Sequence, residues 1–283
     1  MENTQIANNP LKSYFRKPGI WIKLPSQGKF YKTELSELNE QGEVPVYPMT
    51  TKDELILKNA DALLNGDALV QLVNSCVPSI KNPREMPTID VDALLVAIRR
   101  ATYGERYDIS VTHDCTSNAV TEASVDLNMM ISTIKVLDVI PAIELDNGIK
   151  VFIKPITLQH LLTLNWVQYE QIRNIQLAEQ RNLSENEQAS IAQKGYEALT
   201  TVNIKTISEC IDTVLLPDNT AVTNTADIYE WVVDLPRPDF KKIESTLMST
   251  TNSGLQKDVK IECNHCHKMF TSIIDLNPTT FFE

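Results

Sequence analysis

Apolar residues along this chain recur at two spacings, and the switches between them outline the elements. At 42–47, 106–112, 149–154, 257–261 and 271–274 they alternate with polar residues or run short with β-branched neighbours, the period of a strand with one face buried. The first and third runs stop at prolines, Pro48 and Pro155, which cannot donate to a sheet ladder. Between the strands the spacing lengthens to that of a helix. Thr50 or Thr51 is a cap for a helix at 52–57, with Asp53 and Glu54 placed to meet the positive end of its dipole. Further helices are predicted at 67–75 and from Asp90 through Leu94, Leu95, Ile98 and Arg99 to a stop at Gly104. After a polar loop, 124–127 opens another segment. A long helix behind Thr157 carries the stripe Leu158, Leu161, Leu162, Trp166, Tyr169 and Ile172, and Ser184 caps its successor at 185–199. Helices at 205–216, 228–233 and 240–248 complete the pattern. The first forty residues combine prolines and glycines at turn spacing, so they read as an irregular, partly docked arm whose first ten residues are mobile.

The order of elements repeats. Val44-Pro45-Val46-Tyr47-Pro48-Met49-Thr50 matches Val151-Phe152-Ile153-Lys154-Pro155-Ile156-Thr157, each a strand, a proline, an apolar residue and a threonine cap. Asn74-Ser75-Cys76-Val77 matches Ser208-Glu209-Cys210-Ile211, and the strand from Asp108 to His113 matches that from Asp258 to Cys263. Both strands are followed by Asp-Leu-Asn, at Asp126-Leu127-Asn128 and Asp275-Leu276-Asn277. The gap between matched positions widens along the chain, so the second copy carries insertions, chiefly in the helices after Leu164. The expected fold is α+β, with two unequal pseudo-repeats, each strand, helices, hairpin, joined at a zinc-ribbon-like pair of hairpins. The corresponding organisation is an arm at 1–41, a first repeat at 42–147 and a second at 148–283; chance similarity between mixed segments is the competing explanation.

Composition narrows the function. The 283 residues carry 26 basic and 37 acidic side chains, a net charge of −11, and no dense basic run offsets it, which speaks against a phosphate backbone as partner. At 42% hydrophobic the chain has the material for a real core. No apolar run approaches a membrane span and the polar start does not resemble a secretory leader, so the expected location is the cytoplasm of the cell that makes it. No glycine-rich phosphate loop occurs, nothing supports nucleotide or other small-molecule chemistry, and no pair of carboxylates or nucleophile with histidine stands out.

Five cysteines in such a chain are thiols or metal ligands before they are disulfides. Cys263-Asn264-His265-Cys266-His267 holds a C-x2-C knuckle, a turn that aims two thiolates at one point and supplies half of a tetrahedral zinc site. The duplicated position offers His113 and Cys115, so pairing the hairpins yields His113, Cys115, Cys263 and Cys266 as the candidate ligands. His265 and His267 compete with them by proximity. A structural zinc, a knuckle that has lost its metal, and a redox dithiol all remain open; a closed four-ligand site leaves no position for water and is structural rather than catalytic. Cys76 and Cys210 occupy matching places on apolar helices and read as core thiols, and His160 as a surface or cap residue. The closing Phe281-Phe282 either folds back over the knuckle or inserts into a partner's groove.

Leu24-Pro25-Ser26-Gln27-Gly28-Lys29-Phe30-Tyr31, the run from Pro48 to Glu54, Asn65-Gly66, Arg99 with Tyr103-Gly104, and the terminal Cys263-x-x-Cys266 with Phe281-Phe282 together resemble the baseplate hub subunit and hub-assembly family of T4-like contractile-tailed bacteriophages. The resemblance covers roughly residues 20 to 283. The family pattern carries a two-cysteine knuckle where this chain has His113-Asp114-Cys115. The resemblance implies a structural or assembly protein of the tail baseplate, without enzymatic activity, whose partners are other phage baseplate or hub proteins, present in the host cytoplasm during assembly or in the virion tail. A cytoplasmic zinc-ribbon adaptor in transcription or translation is the alternative, although Lys268 is the sole basic residue between Cys263 and Glu283.

Overall fold

A computed structural model describes residues 11, 14–31, 33, 35–113, 115, 120–137, 139–180 and 184–282, so the expected mobility of the first ten lies outside the described residues. The fold is α+β, and its hydrophobic residues gather in two clusters. The first is built around a helix that is buried on nearly every side. This helix, α4 (Thr88–Tyr103), buries every residue from Ile89 to Arg99 except the half-buried Asp92, so the charged Asp90 and Arg99 within the run must find partners inside the fold. Around it lie the antiparallel pair β1 (Ile20–Ile22) and β2 (Val44–Val46), then α1 (Thr51–Leu57), α2 (Ala60–Leu64) and α3 (Asp67–Cys76). Two antiparallel hairpin strands follow, β3 (Arg106–Thr112) and β4 (Val120–Asp126), and a short α5 (Leu127–Ser132).

The second cluster lies against a four-stranded antiparallel sheet in the order β5 (Ile143–Glu144), β6 (Lys150–Ile153), β7 (Ile211–Leu215) and β8 (Ala221–Val222). Two long helices, α6 (Leu158–Gln180) and α7 (Glu185–Cys210), connect β6 to β7; α8 (Thr225–Val233) and α9 (Arg237–Thr250) complete the cluster. The chain then returns to the first cluster. Strands β9 (Asp258–Glu262) and β10 (Met269–Ile273) form a second hairpin, a single turn α10 (Pro278–Phe281) follows, and Leu255, Ile274, Leu276, Phe281 and Phe282 all pack into the first core.

The strands at 42–47, 106–112, 149–154, 257–261 and 271–274 form at or within two residues of the expected positions. One assignment is overturned. Residues 205–216 are not a separate helix: α7 continues to Cys210 and Ile211–Leu215 is the strand β7, because β-branched Ile211, Thr213 and Val214 pair with β6 and leave the helical spacing there without a function. The segment at 124–127 is the end of β4 and the start of α5, turned by the Asp126 side chain, which accepts from the Asn128 amide at 2.9 Å. The short pieces β1, α2, β5, β8 and α10 carry too few residues to show a period.

Matched positions in the two halves make matched bonds. The Tyr47 amide donates to the Cys76 carbonyl at 2.8 Å, and the Lys154 amide donates to the Cys210 carbonyl at 2.8 Å. Three residues into each following helix a side chain reaches back to the cap: Asp53 Oδ2 accepts from the Thr50 amide at 2.7 Å, and His160 Nδ1 from the Thr157 amide at 3.2 Å. Asp275 accepts from the Asn277 amide at 3.0 Å, as Asp126 does from Asn128.

The arm is fastened by a buried carboxylate. Asp90, on α4, accepts from the Ser26 amide at 2.8 Å, Ser26 Oγ at 2.5 Å and Tyr31 Oη at 2.8 Å, and both Asp90 and Ser26 are fully buried. Desolvation raises the Asp90 carboxyl from 3.8 to about 6, against the opposing pull of the Ser26 and Tyr31 bonds. An acid whose proton is held more tightly in the fold contributes stability that is full below its unfolded value near 4 and is lost as pH rises through about 6. Between pH 4 and 7 that loss amounts to about 3 kcal/mol, at about 1.4 kcal/mol for each tenfold change. Urea unfolding of the wild type and Asp90→Asn across this range should therefore differ in slope, with the wild type falling more steeply. Parallel curves would show that Asp90 does not titrate there.

Candidate metal centre

The two hairpins bring four ligand-bearing side chains to one place. At the end of β3 the Cys115 amide donates to the His113 carbonyl at 2.9 Å, a turn so short that both side chains leave it close together. After β9 the Cys263 amide donates to the Lys268 carbonyl at 3.0 Å and the His267 amide to the Cys263 carbonyl at 2.9 Å, closing the knuckle that carries Cys266. Ligand atoms of His113, Cys115, Cys263 and Cys266 all lie within 4.8 Å of one another. Cys263 is buried and the other three are half-buried.

The two competitors stand apart from this group. His265 is exposed, and His267, also exposed, turns to Glu262 with Nδ1 3.2 Å from the carboxylate. Two residues that sequence spacing did not single out belong to the site. Thr121 on β4 places Oγ1 3.7 Å from Cys263 Sγ, and the Phe270 ring on β10 stacks beneath the His113 imidazole at 4.5 Å between centroids and 18° between planes. Thr121 falls in the polar loop expected between the strands and Phe270 just ahead of the strand expected at 271–274, so no sequence signal pointed to either.

Electrostatics at the knuckle suit a cation. Amides of Cys266 and His265 point at the Cys263 sulfur and, with Thr121, lower its thiol to about 6. Cys266, although the Lys268 amide donates to it, is pushed up by desolvation and by the neighbouring sulfurs of Cys263 and Cys115. Three sulfurs at such range repel one another once ionised, a cost that one dication removes. The donor set of one imidazole and three thiols is that of a closed tetrahedral zinc site. In such a site the donors stand roughly 3.3–3.8 Å apart when each is 2.0–2.3 Å from the metal, so the present cluster fits with a contraction of about 1 Å.

A family model for the T4 bacteriophage base plate protein matches residues 20–283. The chain belongs to that family. No curated protein and no solved structure matches it. The match begins at β1 and runs through the last element, so the baseplate protein's two clusters and both hairpins lie within the family's boundaries.

The remaining sequence candidates of the baseplate protein fall elsewhere. Cys76 and Cys210 are fully buried, and burial pushes each thiol up to about 12, the property of inert core cysteines. His160 lies beside Cys210, with Nδ1 3.7 Å from its sulfur: Nδ1 accepts from the Thr157 amide, Nε2 is 3.2 Å from Glu209, and burial pulls its pKa down against the pull of Glu209. It is a cap residue, as the sequence suggested. Phe281 and Phe282 fold back, yet onto the first core rather than the knuckle: Phe281 is fully buried, meets Tyr107 edge-on at 4.9 Å, and its carbonyl accepts from Arg99.

Proposed function

We propose that this baseplate protein acts at the hub of the tail, as a subunit or as a hub-assembly factor, through protein contacts rather than catalysis, and that its two hairpins are clamped by one structural zinc. Membership of the baseplate family supports the setting. The observation that carries the clamp is the convergence of His113, Cys115, Cys263 and Cys266 from two distant parts of the sequence. Partners in this reading are other baseplate or hub proteins, with no role for nucleic acid, membrane or small substrate; a net charge of −11 and the lack, among the described residues, of any helix able to cross a membrane agree with it. Host cytoplasm during assembly and the virion tail afterwards are the corresponding locations.

The matched bonds of the two halves support a duplication, with repeats at 42–147 and 148–283 and the hairpins as the equivalent ends that meet. Under that reading His113 and Cys263 are equivalent positions, and the zinc ties one copy to the other.

Elemental analysis of the purified protein tests the clamp: about one zinc per chain is expected, and less than a tenth of that in Cys263→Ser. A metal-free wild type that is otherwise folded rejects it. Cosedimentation with finished tails separates a resident subunit from an assembly factor, which is found with intermediates alone.

A further inference from the structure

The start of α6 is the joint between the two clusters. Leu158 is fully buried in the first core, and Leu162 packs so closely on Gly66, in the turn before α3, that an added Cβ there would collide with it. Beside them Thr157 forms an antiparallel bridge with Pro87, in which the Thr88 amide donates to the Ile156 carbonyl at 2.9 Å and the Leu158 amide to the Met86 carbonyl at 2.8 Å. The same turn of α6 faces the second cluster through the half-buried His160. Its Nδ1 lies 3.7 Å from the Cys210 sulfur and its Nε2 3.2 Å from Glu209, both at the end of α7.

Here an imidazole has the role that its counterpart in the first half gives to a carboxylate. Thr157 precedes α6 and His160 is the third residue of that helix, as Thr50 and Asp53 stand to α1. Asp53 Oδ2 accepts from the Thr50 amide and from Thr50 Oγ1, each at 2.7 Å; His160 Nδ1 faces the Thr157 amide at 3.2 Å and Thr157 Oγ1 at 3.1 Å. A carboxylate accepts at any pH near neutral, whereas an imidazole nitrogen accepts only while it keeps its lone pair. Because the Thr157 amide can only donate, it fixes the tautomer: Nδ1 is bare, and the Nε2 proton is donated to Glu209. A second proton must go on Nδ1. The Thr157 hydroxyl can turn to accept it, but the Thr157 amide then faces a second donor and the first turn of α6 loses its cap.

Charges of both signs surround the ring. From α7, Glu209 favours the imidazolium and Lys205 opposes it; from the end of β6, Lys154, itself 3.7 Å from Asp212, opposes it too. On the side of the first cluster Arg84 is engaged by Asp67 at 2.6 Å and by Gln159 at 3.0 Å, and the Cys210 thiol is kept neutral by burial. From this arrangement we infer that His160 is a proton-operated pin: neutral, it caps α6 and holds the two clusters together, and protonated, it frees the first turn of α6 and loosens the joint. Burial of the ring outweighs Glu209 and lowers its pKa from 6.5. The stability it contributes is therefore full above 6.5 and is lost as pH falls from there through the lowered folded value. Asp90 works in the opposite direction, so acid loosens the joint while it secures the arm.

Hydrogen exchange followed by mass spectrometry, corrected for the intrinsic pH dependence of exchange, tests the pin between about pH 7.5 and about pH 5. In the wild type, amides 157–161 and that of Thr88 should open about fivefold or more more readily at the lower pH. His160→Asn sets an amide oxygen in the place of Nδ1, an acceptor that does not titrate, and the same amides should then change by less than about twofold. An equal change in wild type and variant overturns the inference, as does a wild-type joint indifferent to pH. Nitrogen NMR of the wild-type imidazoles reads the tautomer with no substitution at all: an unprotonated Nδ1 on His160 is expected at neutral pH, and a proton there overturns the inference as well.

Discussion

Stripped of metal by a strong chelator, or carrying Cys263→Ser, the protein should lose the joined hairpins β3–β4 and β9–β10 while α4 stays folded. Each hairpin is a two-stranded ribbon, and such ribbons are marginal alone in water. Their inward side chains, Tyr107, Ile109 and Val259, reach the first core near their bases, but the far end, at His113, Cys115 and the knuckle, has only a small apolar group centred on Ile261 and Phe270, outside both main clusters. In the proposed clamp the far ends are held chiefly by the ligand set, for which apparent zinc binding in small metal domains is on the order of 10 kcal/mol. Hydrogen exchange followed by mass spectrometry reads this directly. Amides of β9, β10 and the ends of β3 and β4 should exchange at least about a hundredfold faster without metal, with α4 unchanged, because local opening is governed by local stability. Exchange identical with and without metal would mean that the hairpins hold by packing alone, and the clamp would be rejected.

Phe281→Ala should be the most damaging single substitution away from the metal site. The Phe281 side chain is fully buried, its ring meets Tyr107 and Phe282 edge-on, and its carbonyl accepts from Arg99. Arg99, itself 8% exposed on the central helix, lies over the rings of Tyr107, Tyr103 and Phe281, with its guanidinium carbon 4.2 Å from the Tyr107 centroid. Truncating Phe281 removes a large apolar group from a packed core and strips one face from a buried cation. Substitutions of this kind cost about 3–5 kcal/mol from the cavity alone, and the exposed cation adds to it. Urea unfolding should show stability lowered by that amount, whereas Thr279→Ala, in the same turn and exposed, should lower it by less than about 0.5 kcal/mol. A change under about 1 kcal/mol in Phe281→Ala would show that the chain end is dispensable to the core.

Strong local periods were legible in the sequence. The alternation at Arg106–Thr112 gave a strand with those bounds, and the cap at Ser184 marked the start of α7. Helical spacing misled at 205–216, where Ile207 and Ile211 continue an apolar period across a change of element. Pairing with β6 settles that boundary, and pairing is a long-range fact that no window of neighbouring residues contains.

The candidate ligands show the same division. Chemistry and the repeated pattern named them: a knuckle supplies two thiolates by its own turn, and the matching strand end offers His113 and Cys115, an imidazole and a thiol that are both zinc donors. Distance excluded His265 and His267, and that exclusion came from the backbone of the knuckle, which turns both outward. Thr121 and Phe270 enter the site because two strands cross there, which the spacing of neither strand records.

The sequence by itself determined the α+β class, the order of the longer elements and the four candidate ligands, because caps, periods and short turns are set by residues within a few positions of one another. Tertiary structure alone decided that the last thirty residues close the first core, that Asp90 fastens the arm, and that His160 meets Glu209 at the joint between the clusters. Each of these depends on side chains brought together from far apart in the chain, and burial of that kind is a property of the folded whole.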